Sequence, residues 1–444
     1  MPRNCLIILL DGAADRAHPG LDGRTPLQAA ATPFLDSLAR QGSVWLHHPT
    51  DPGQPLPVES ALYPLLGMGA HHAPSLGVLS ALGSGMDLAQ GDVVFSARLA
   101  SVEREEDGAL VLIDEDPSST DEPDEAAHAC TGEACADLFR SLEPATLRGV
   151  EFQLVHTEGL DGALILRGAA DERVTDVDPL AEGLPLARPM ALDGAPMIAE
   201  ETARALGEYL ARAHSTLSGL EFNRLREERD EPPVNALLTR AGGRQTPSLS
   251  FLNRFCMEGG LVSPLAALGG AARDMGLAFR HDPDRGEAGE DLARRLGWAR
   301  ELFEQGTRVV VVHSRACFRA ARAKSPGRKK RALESLDAAL AENLPSMTVA
   351  GRRPLVGIAA GPGAPASGRL IRTGEPYPVL LHGPGVRCCA GTSFQESEAR
   401  ALLRSTEFFA LLLDLLDRSR LAGWRETPVP AWAWPAPYEP FRVD

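Results

Sequence analysis

Asp11 closes a six-residue apolar run, CLIILL at positions 5–10, and is followed by Gly12. A continuous apolar run of that length reads as a strand covered on both faces. In open α/β sheets the C-terminal edge of such strands is where ligands bind. An aspartate there can ligate a divalent metal ion, or it can cap the following turn through backbone N–H groups. The second chemical feature is a basic run: Arg315, Arg319, Arg322, Lys324, Arg328, Lys329, Lys330 and Arg331 place eight positive charges in seventeen residues. Such a run is either a solvated face or a source of guanidinium groups for a carboxylate or phosphate. Cys317 and Arg322 stand as Cys-x4-Arg, one residue short of the Cys-x5-Arg loop of cysteine phosphatases. GPGAPASGR at 361–369 lacks the lysine and following hydroxyl of a phosphate loop and reads as a Gly/Pro connection. The adjacent pairs His47-His48 and His71-His72 would diverge on a strand, and they read as polar loop residues rather than a metal site.

These groups need a scaffold, and the hydrophobic pattern supplies one. Apolar runs at 5–10, 307–312, 355–359 and 378–381 read as strands of a single buried sheet. Thr25-Pro26 and Thr32-Pro33 open helical stretches, the second ending at Gln41-Gly42. Further helices are expected at 131–142, 196–216, 261–276, 329–343 and 396–418, and strands at 92–113, 162–168 and 235–240. Buried strands alternating with helices predict an α/β fold with a mostly parallel sheet. The expected organisation is an α/β domain of residues 1–89 and 186–425, an inserted α+β domain at 90–185, and a Pro/Trp-rich arm at 426–444. The acidic stretch 115–127 reads as an exposed loop.

Composition narrows the partners. The chain has 444 residues, with 45 Lys+Arg against 60 Asp+Glu and a net charge of −15. That balance argues against nucleic acid or an anionic membrane as partner. The first apolar run is shorter than the ~7–15 residues of a signal-peptide core, and no stretch approaches the ~20 apolar residues of a membrane span. Seven sparse cysteines without a CxxC fit a reducing compartment. The expectation is a cytoplasmic protein whose partner is a small phosphorylated metabolite or another protein.

The opening LDGAADR…LDGRTPLQAAATPFLDSLARQG (10–42) resembles the N-terminus of the archaeal-type 2,3-bisphosphoglycerate-independent phosphoglycerate mutases, members of the alkaline-phosphatase-like metalloenzyme superfamily. The resemblance continues collinearly through LLGMGA (65–70), ALGSGMDLAQGDVVF (81–95), FNRLREERDEPPVNALLTRAGG (222–243), GGLVSPLAALGGAARDMGL (259–277) and PYPVLLHGPGV (376–386), covering roughly residues 4–415. It implies an alkaline-phosphatase-like α/β domain with an inserted smaller domain. It also implies two divalent metals, usually manganese, and a serine that carries the phosphoryl group between the hydroxyls of phosphoglycerate.

Carried over position by position, the resemblance gives Asp11 as a metal ligand but puts Val58 at the nucleophile position, with Ser60 the nearest hydroxyl. Phe318 and Arg322 occupy the places of an Asp and a His ligand, and the last metal His falls within Arg372-Thr373-Gly374-Glu375-Pro376. No Asp, Glu or His occurs from Ser314 through Leu333 or from Leu355 through Ile371. The family's RGPLEALG reads LGVLSALG at 76–83, without its Arg and Glu. His313 matches a family histidine beside the site. With Arg315, Arg226, Arg240, Arg322 and Arg372 it completes the candidates for a pocket or anion site. The expectation is a diverged homologue without a metal cofactor, acting as a binding or regulatory protein. The alternative is an active mutase or related phosphotransferase or phosphohydrolase, with manganese and re-sited residues. A further expectation is that Arg322 or Arg372 pairs with Asp11 and plugs the metal pocket, because a buried carboxylate without a counter-charge is costly.

Overall fold

In a computed structural model that describes residues 4–114, 117, 132–246, 250–388, 393–399, 401–419 and 443, the strands are, in chain order, β1 (Cys5–Leu10), β2 (Ser43–His48), β3 (Val93–Arg104), β4 (Leu110–Asp114), β5 (Ala145–Leu147), β6 (Val150–Glu158), β7 (Asp161–Gly168), β8 (Ala236–Arg244), β9 (Gly259–Ser263), β10 (Ala278–His281), β11 (Val309–Ser314), β12 (Leu355–Ala359), β13 (Tyr377–His382) and β14 (Leu402–Arg404). Eight of them form one sheet in the order β10-β9-β11-β1-β12-β13-β2-β14. β1 lies between β11 and β12, parallel to both, with Ile7 opposite Val311 and Gly357. All six β1 side chains are buried, as a central strand with covered faces requires. β13 runs antiparallel to both of its neighbours, β12 and β2. The four apolar runs expected to share a sheet are therefore its four adjacent strands β11-β1-β12-β13.

The second sheet has the order β4-β3-β7-β6-β5, with β8 pairing β3. β3 alternates. Val93, Phe95, Ala97 and Leu99 pack with Phe152, Leu206 and Tyr209 on one face, and Val94 packs with Val78, Ala81 and Ile165 on the other. That period of two places the long helix Met197–Ser218 on one face and the helix Leu76–Gly83 on the other. The chain divides into two compact units, Met1–Ala73 with Ser248–Leu265 and Ala272–Asp444, and Pro74–Pro247 with Ala266–Ala271. The second unit is thus wider than the 90–185 insertion expected, because Met197–Ser218 and β8 complete its core and its sheet.

Other expectations also change. The stretch 261–276, read as one helix, is split: β9 fills a sheet position between β11 and β10, and the helix begins at Ala266. The stretch 396–418, read as an apolar helix, gives β14 at the sheet edge before the helix Glu407–Leu415. Cys135 is disulfide-bonded, a link that the sparse cysteine set does not suggest. The arm at 426–444, apart from Val443, and the loop at 115–127, apart from Pro117, lie outside the described residues.

His47 and His48 are strand residues of β2, not loop residues, and both are buried. His47 Nε2–H donates to the Ser405 carbonyl at 2.8 Å, which leaves Nδ1 to accept from the Tyr377 hydroxyl at 2.8 Å. Burial, with a smaller push from the neighbouring His48, lowers the His47 pKa from 6.5 to about 4, although the bond to Ser405 favours the proton. The unfolded chain therefore binds the extra proton between those values. The stability due to neutral His47 is present above pH 6.5 and is lost as pH falls to about 4. At about 1.4 kcal/mol per unit this amounts to about 3 kcal/mol. In urea denaturation across this range, the stability advantage of the wild type over His47→Gln should shrink by about that amount. A pH-independent difference would contradict the assignment.

Candidate functional site

The sheet geometry delivers Asp11 to the C-terminal edge of β1, between the ends of β11 and β12. Its N–H donates to the Ser314 carbonyl at 2.9 Å, and its carbonyl accepts from Phe318 N at 3.0 Å. Gly12 follows at φ +74°, where a Cβ would stand 2.7 Å from Phe318 Cα, so the turn requires glycine. Gly12 N then bonds the Pro362 carbonyl at 3.1 Å, tying the turn to the segment after β12. Asp11 is held by backbone bonds on both sides and is 1% exposed.

Arg372, from the connection between β12 and β13, closes over this carboxylate as a fork. Its Nη2 donates to Asp11 Oδ2 at 3.0 Å, its Nη1 donates to Oδ1, and Nη1 also reaches the Pro362 carbonyl at 3.2 Å. The guanidinium lies 3.9 Å from the centroid of the Phe318 ring, a cation–π stack. Burial alone would raise the Asp11 carboxyl; Arg372 and His313 overcome it and hold the group below the usual carboxylate range. Of the two arginines expected to reach Asp11, Arg372 makes the bond. Arg322 ends the helix Ala316–Arg322, half-buried, with its charge beside Lys324.

His313, at the end of β11, is fully buried. Ser263 Oγ accepts from Leu265 N at 3.0 Å and lies 2.9 Å from His313 Nδ1, so its hydroxyl hydrogen is placed to donate to the ring. Nε2 then faces Asp11 Oδ2 at 3.7 Å without a hydrogen bond. Burial pulls the imidazole pKa down, against the pull of Asp11.

A second cation fills the neighbouring space. Ser325 caps the helix Pro326–Asn343 through Arg328 N, and Pro326 opens it, which sets Lys329 in the first turn. Lys329 is 0% exposed, and its Nζ donates to Asp15 Oδ2 at 2.8 Å, the Ala364 carbonyl at 2.7 Å and the Ala14 carbonyl at 3.1 Å. Asp15 also accepts from Ala366 N at 3.0 Å and Arg16 N at 2.6 Å, and His18 Nε2 lies 3.2 Å away. Burial lowers the Lys329 pKa and Asp15 opposes that shift. Nothing in the sequence pattern singles out Asp15 and Lys329 as a pair. The only signal was Lys329's membership of the basic run, which does not tell an inward lysine from a solvated one.

The rest of that run is divided among separate tasks. Arg315 donates to Asp284 Oδ2 at 2.8 Å, and Arg319 approaches the same oxygen at 3.5 Å. Asp284 also accepts from the buried Arg295. Lys324 donates to the Leu370 carbonyl at 2.9 Å, and Arg328 and Arg331 are exposed. Arg226 and Arg240 belong to the second unit, each with partners there. Arg226 donates to the Pro232 and Pro117 carbonyls at 2.8 and 3.0 Å, and Arg240 to Asp178 at 3.1 Å.

Val58 begins the helix Val58–Leu65 and is buried, while Ser60 sits half-buried in the same first turn. Among the described residues, no group of three or more His, Cys, Asp or Glu side chains comes together in a way that could hold a metal ion. Both Asp11 oxygens are occupied by a guanidinium, and Phe318 and Arg322 offer no lone pair to a cation. The residues present do not fit a two-metal centre.

Comparisons with known proteins place this geometry. A family model for 2,3-bisphosphoglycerate-independent phosphoglycerate mutase matches residues 39–223. A Methanopyrus kandleri protein named 2,3-bisphosphoglycerate-independent phosphoglycerate mutase is 35% identical over 318 residues, 70% of this chain and 72% of that relative. A Methanocaldococcus jannaschii protein named 2,3-bisphosphoglycerate-independent phosphoglycerate mutase 2 is 29% identical, with 95% of each chain covered. A solved Pyrococcus horikoshii structure shares the fold with TM-score 0.71 at 22% identity, covering 96% of this chain and all of that one. The cofactor-independent phosphoglycerate mutase of Thermoplasma acidophilum matches with TM-score 0.58 at 25% identity, covering 94% of this chain and all of that one. The mostly parallel eight-stranded sheet is the alkaline-phosphatase-like arrangement expected from the sequence. With that length of match and that fold, the chain belongs to the 2,3-bisphosphoglycerate-independent phosphoglycerate mutase family.

Proposed function

We propose that this chain is a diverged, non-catalytic member of its family that uses the fold to bind a protein or a small phosphorylated metabolite. The observation that carries the reading is the Arg372 fork on Asp11, stacked on Phe318. A guanidinium keeps its charge at any working pH and cannot be displaced by dissociation as an ion can. With Val58 at the family's nucleophile position, there is also no hydroxyl at the point where the phosphoryl group would be accepted. A second reading, an active phosphoglycerate mutase, is favoured by the names of the relatives. It requires Ser60 to replace Val58 as nucleophile and a manganese site rebuilt from other groups.

A coupled assay of phosphoglycerate interconversion, run beside metal analysis after incubation with manganese, separates the two. The non-catalytic reading expects background turnover, less than stoichiometric metal and no rise in Tm with manganese. Two manganese ions per chain, or turnover that Ser60→Ala abolishes, would establish the active mutase instead.

The pair itself makes a stability prediction. Arg372→Ala leaves the Asp11 carboxylate buried without its counter-charge, and breaking a buried pair in this way costs about 3–5 kcal/mol. Arg372→Lys should recover only part of that loss, since an ammonium neither forks nor stacks as guanidinium does. Chemical denaturation measures both. A loss below about 1 kcal/mol for Arg372→Ala, the scale of an exposed pair, would contradict the arrangement.

A further inference from the structure

At the opposite end of the central strands from Asp11, a groove of about 390 Å³ opens in the first unit. Arg353 and Pro354 lead into β12 beside the start of β1, so the groove lies about 20 Å from Asp11, the length of six strand residues. One wall is a single face of the helix Pro33–Gln41, where Phe34, Ser37, Leu38 and Gln41 recur at the helical spacing i, i+3, i+4, i+7. Leu344, Met347 and Val356 supply further apolar wall, and each is buried. Besides Ser37 and Gln41, the lining carries two basic side chains, Arg353 and His382. Among the described residues neither has a hydrogen-bonding or ion-pair partner, and the lining contains no Asp or Glu. In a chain of net charge −15, a cation without a carboxylate in the lining of a mostly apolar groove is a specific departure.

We infer that this groove binds a small amphipathic carboxylate, with an aliphatic body against Phe34, Leu38, Met347 and Val356 and its acid group at Arg353 and His382. The volume falls in the range of small-molecule sites, which combine mostly apolar walls with a few converging polar groups. A protein surface is a poorer fit, because none of the exposed large hydrophobic residues of the described chain lines the groove. A phosphorylated metabolite is also a poorer fit, since its hydroxyls would meet Leu38, Leu344, Met347 and Val356. This inference is independent of whether the chain catalyses.

Calorimetric titration of the full chain with octanoate tests it, with 1-octanol and inorganic phosphate as comparators. The expected result is saturable one-site binding of octanoate, at least tenfold weaker binding of octanol, and none of phosphate. Arg353→Glu, at an exposed position, should weaken octanoate at least tenfold with Tm unchanged. Ser37→Trp, which fills the groove from the helix face, should abolish binding. Absence of saturable octanoate binding, equal binding of octanol, or affinity unaltered in both folded variants would overturn the inference.

Discussion

A carboxylate taken out of water must be answered by a charge, and in this protein the demand falls on Asp11. Its oxygens lie at the edge of a sheet whose central strand is wholly buried, where solvent cannot screen them. Arg372 answers with two parallel hydrogen bonds and is itself fixed by the Phe318 ring and the Pro362 carbonyl. The three participants come from the ends of β1, the helix after β11 and the connection after β12. One ion pair therefore ties together the loops that follow three neighbouring strands.

Lys329 repeats the solution a few residues along the same loop. It meets Asp15 and two carbonyls while fully buried, binding the helix Pro326–Asn343 to the segments around Ala14 and Ala364. Asp284 takes Arg295, Arg315 and Arg319 in a third cluster. The sheet edge is thus held by cations that are part of the chain. A covalently attached charge needs no binding equilibrium, but it cannot leave to admit a reacting group.

The C-terminal edge of the strands is crowded with matched charges, whereas the opposite edge carries a mostly apolar groove with a cation in its lining. The difference follows from what each end must satisfy. Asp11 and Asp15 are buried and need partners. Arg353 is exposed and is solvated without one.

The sequence by itself determined four adjacent strands of the eight-stranded sheet, β11, β1, β12 and β13. A strand covered on both faces must be apolar throughout, and the runs at 5–10, 307–312, 355–359 and 378–381 have no competing reading. It did not determine that β13 runs antiparallel, because a buried strand has the same composition in either direction. β9 escaped notice because its last three residues open the stretch 261–276 that reads as a small-residue helix. Its Gly259 lies where a Cβ would press on Leu277 and Phe251, a packing reason invisible to periodicity. At the site, the sequence itself shows that no Asp, Glu or His occurs from Ser314 through Leu333 or from Leu355 through Ile371, and the family resemblance singles out Phe318, Arg322 and Arg372. Tertiary structure alone decided that Arg372, 361 residues away, closes on Asp11, and that Lys329 turns inward from a run of eight cations. Charge is written in the sequence, but the pairing of charges depends on which loops the sheet order brings side by side.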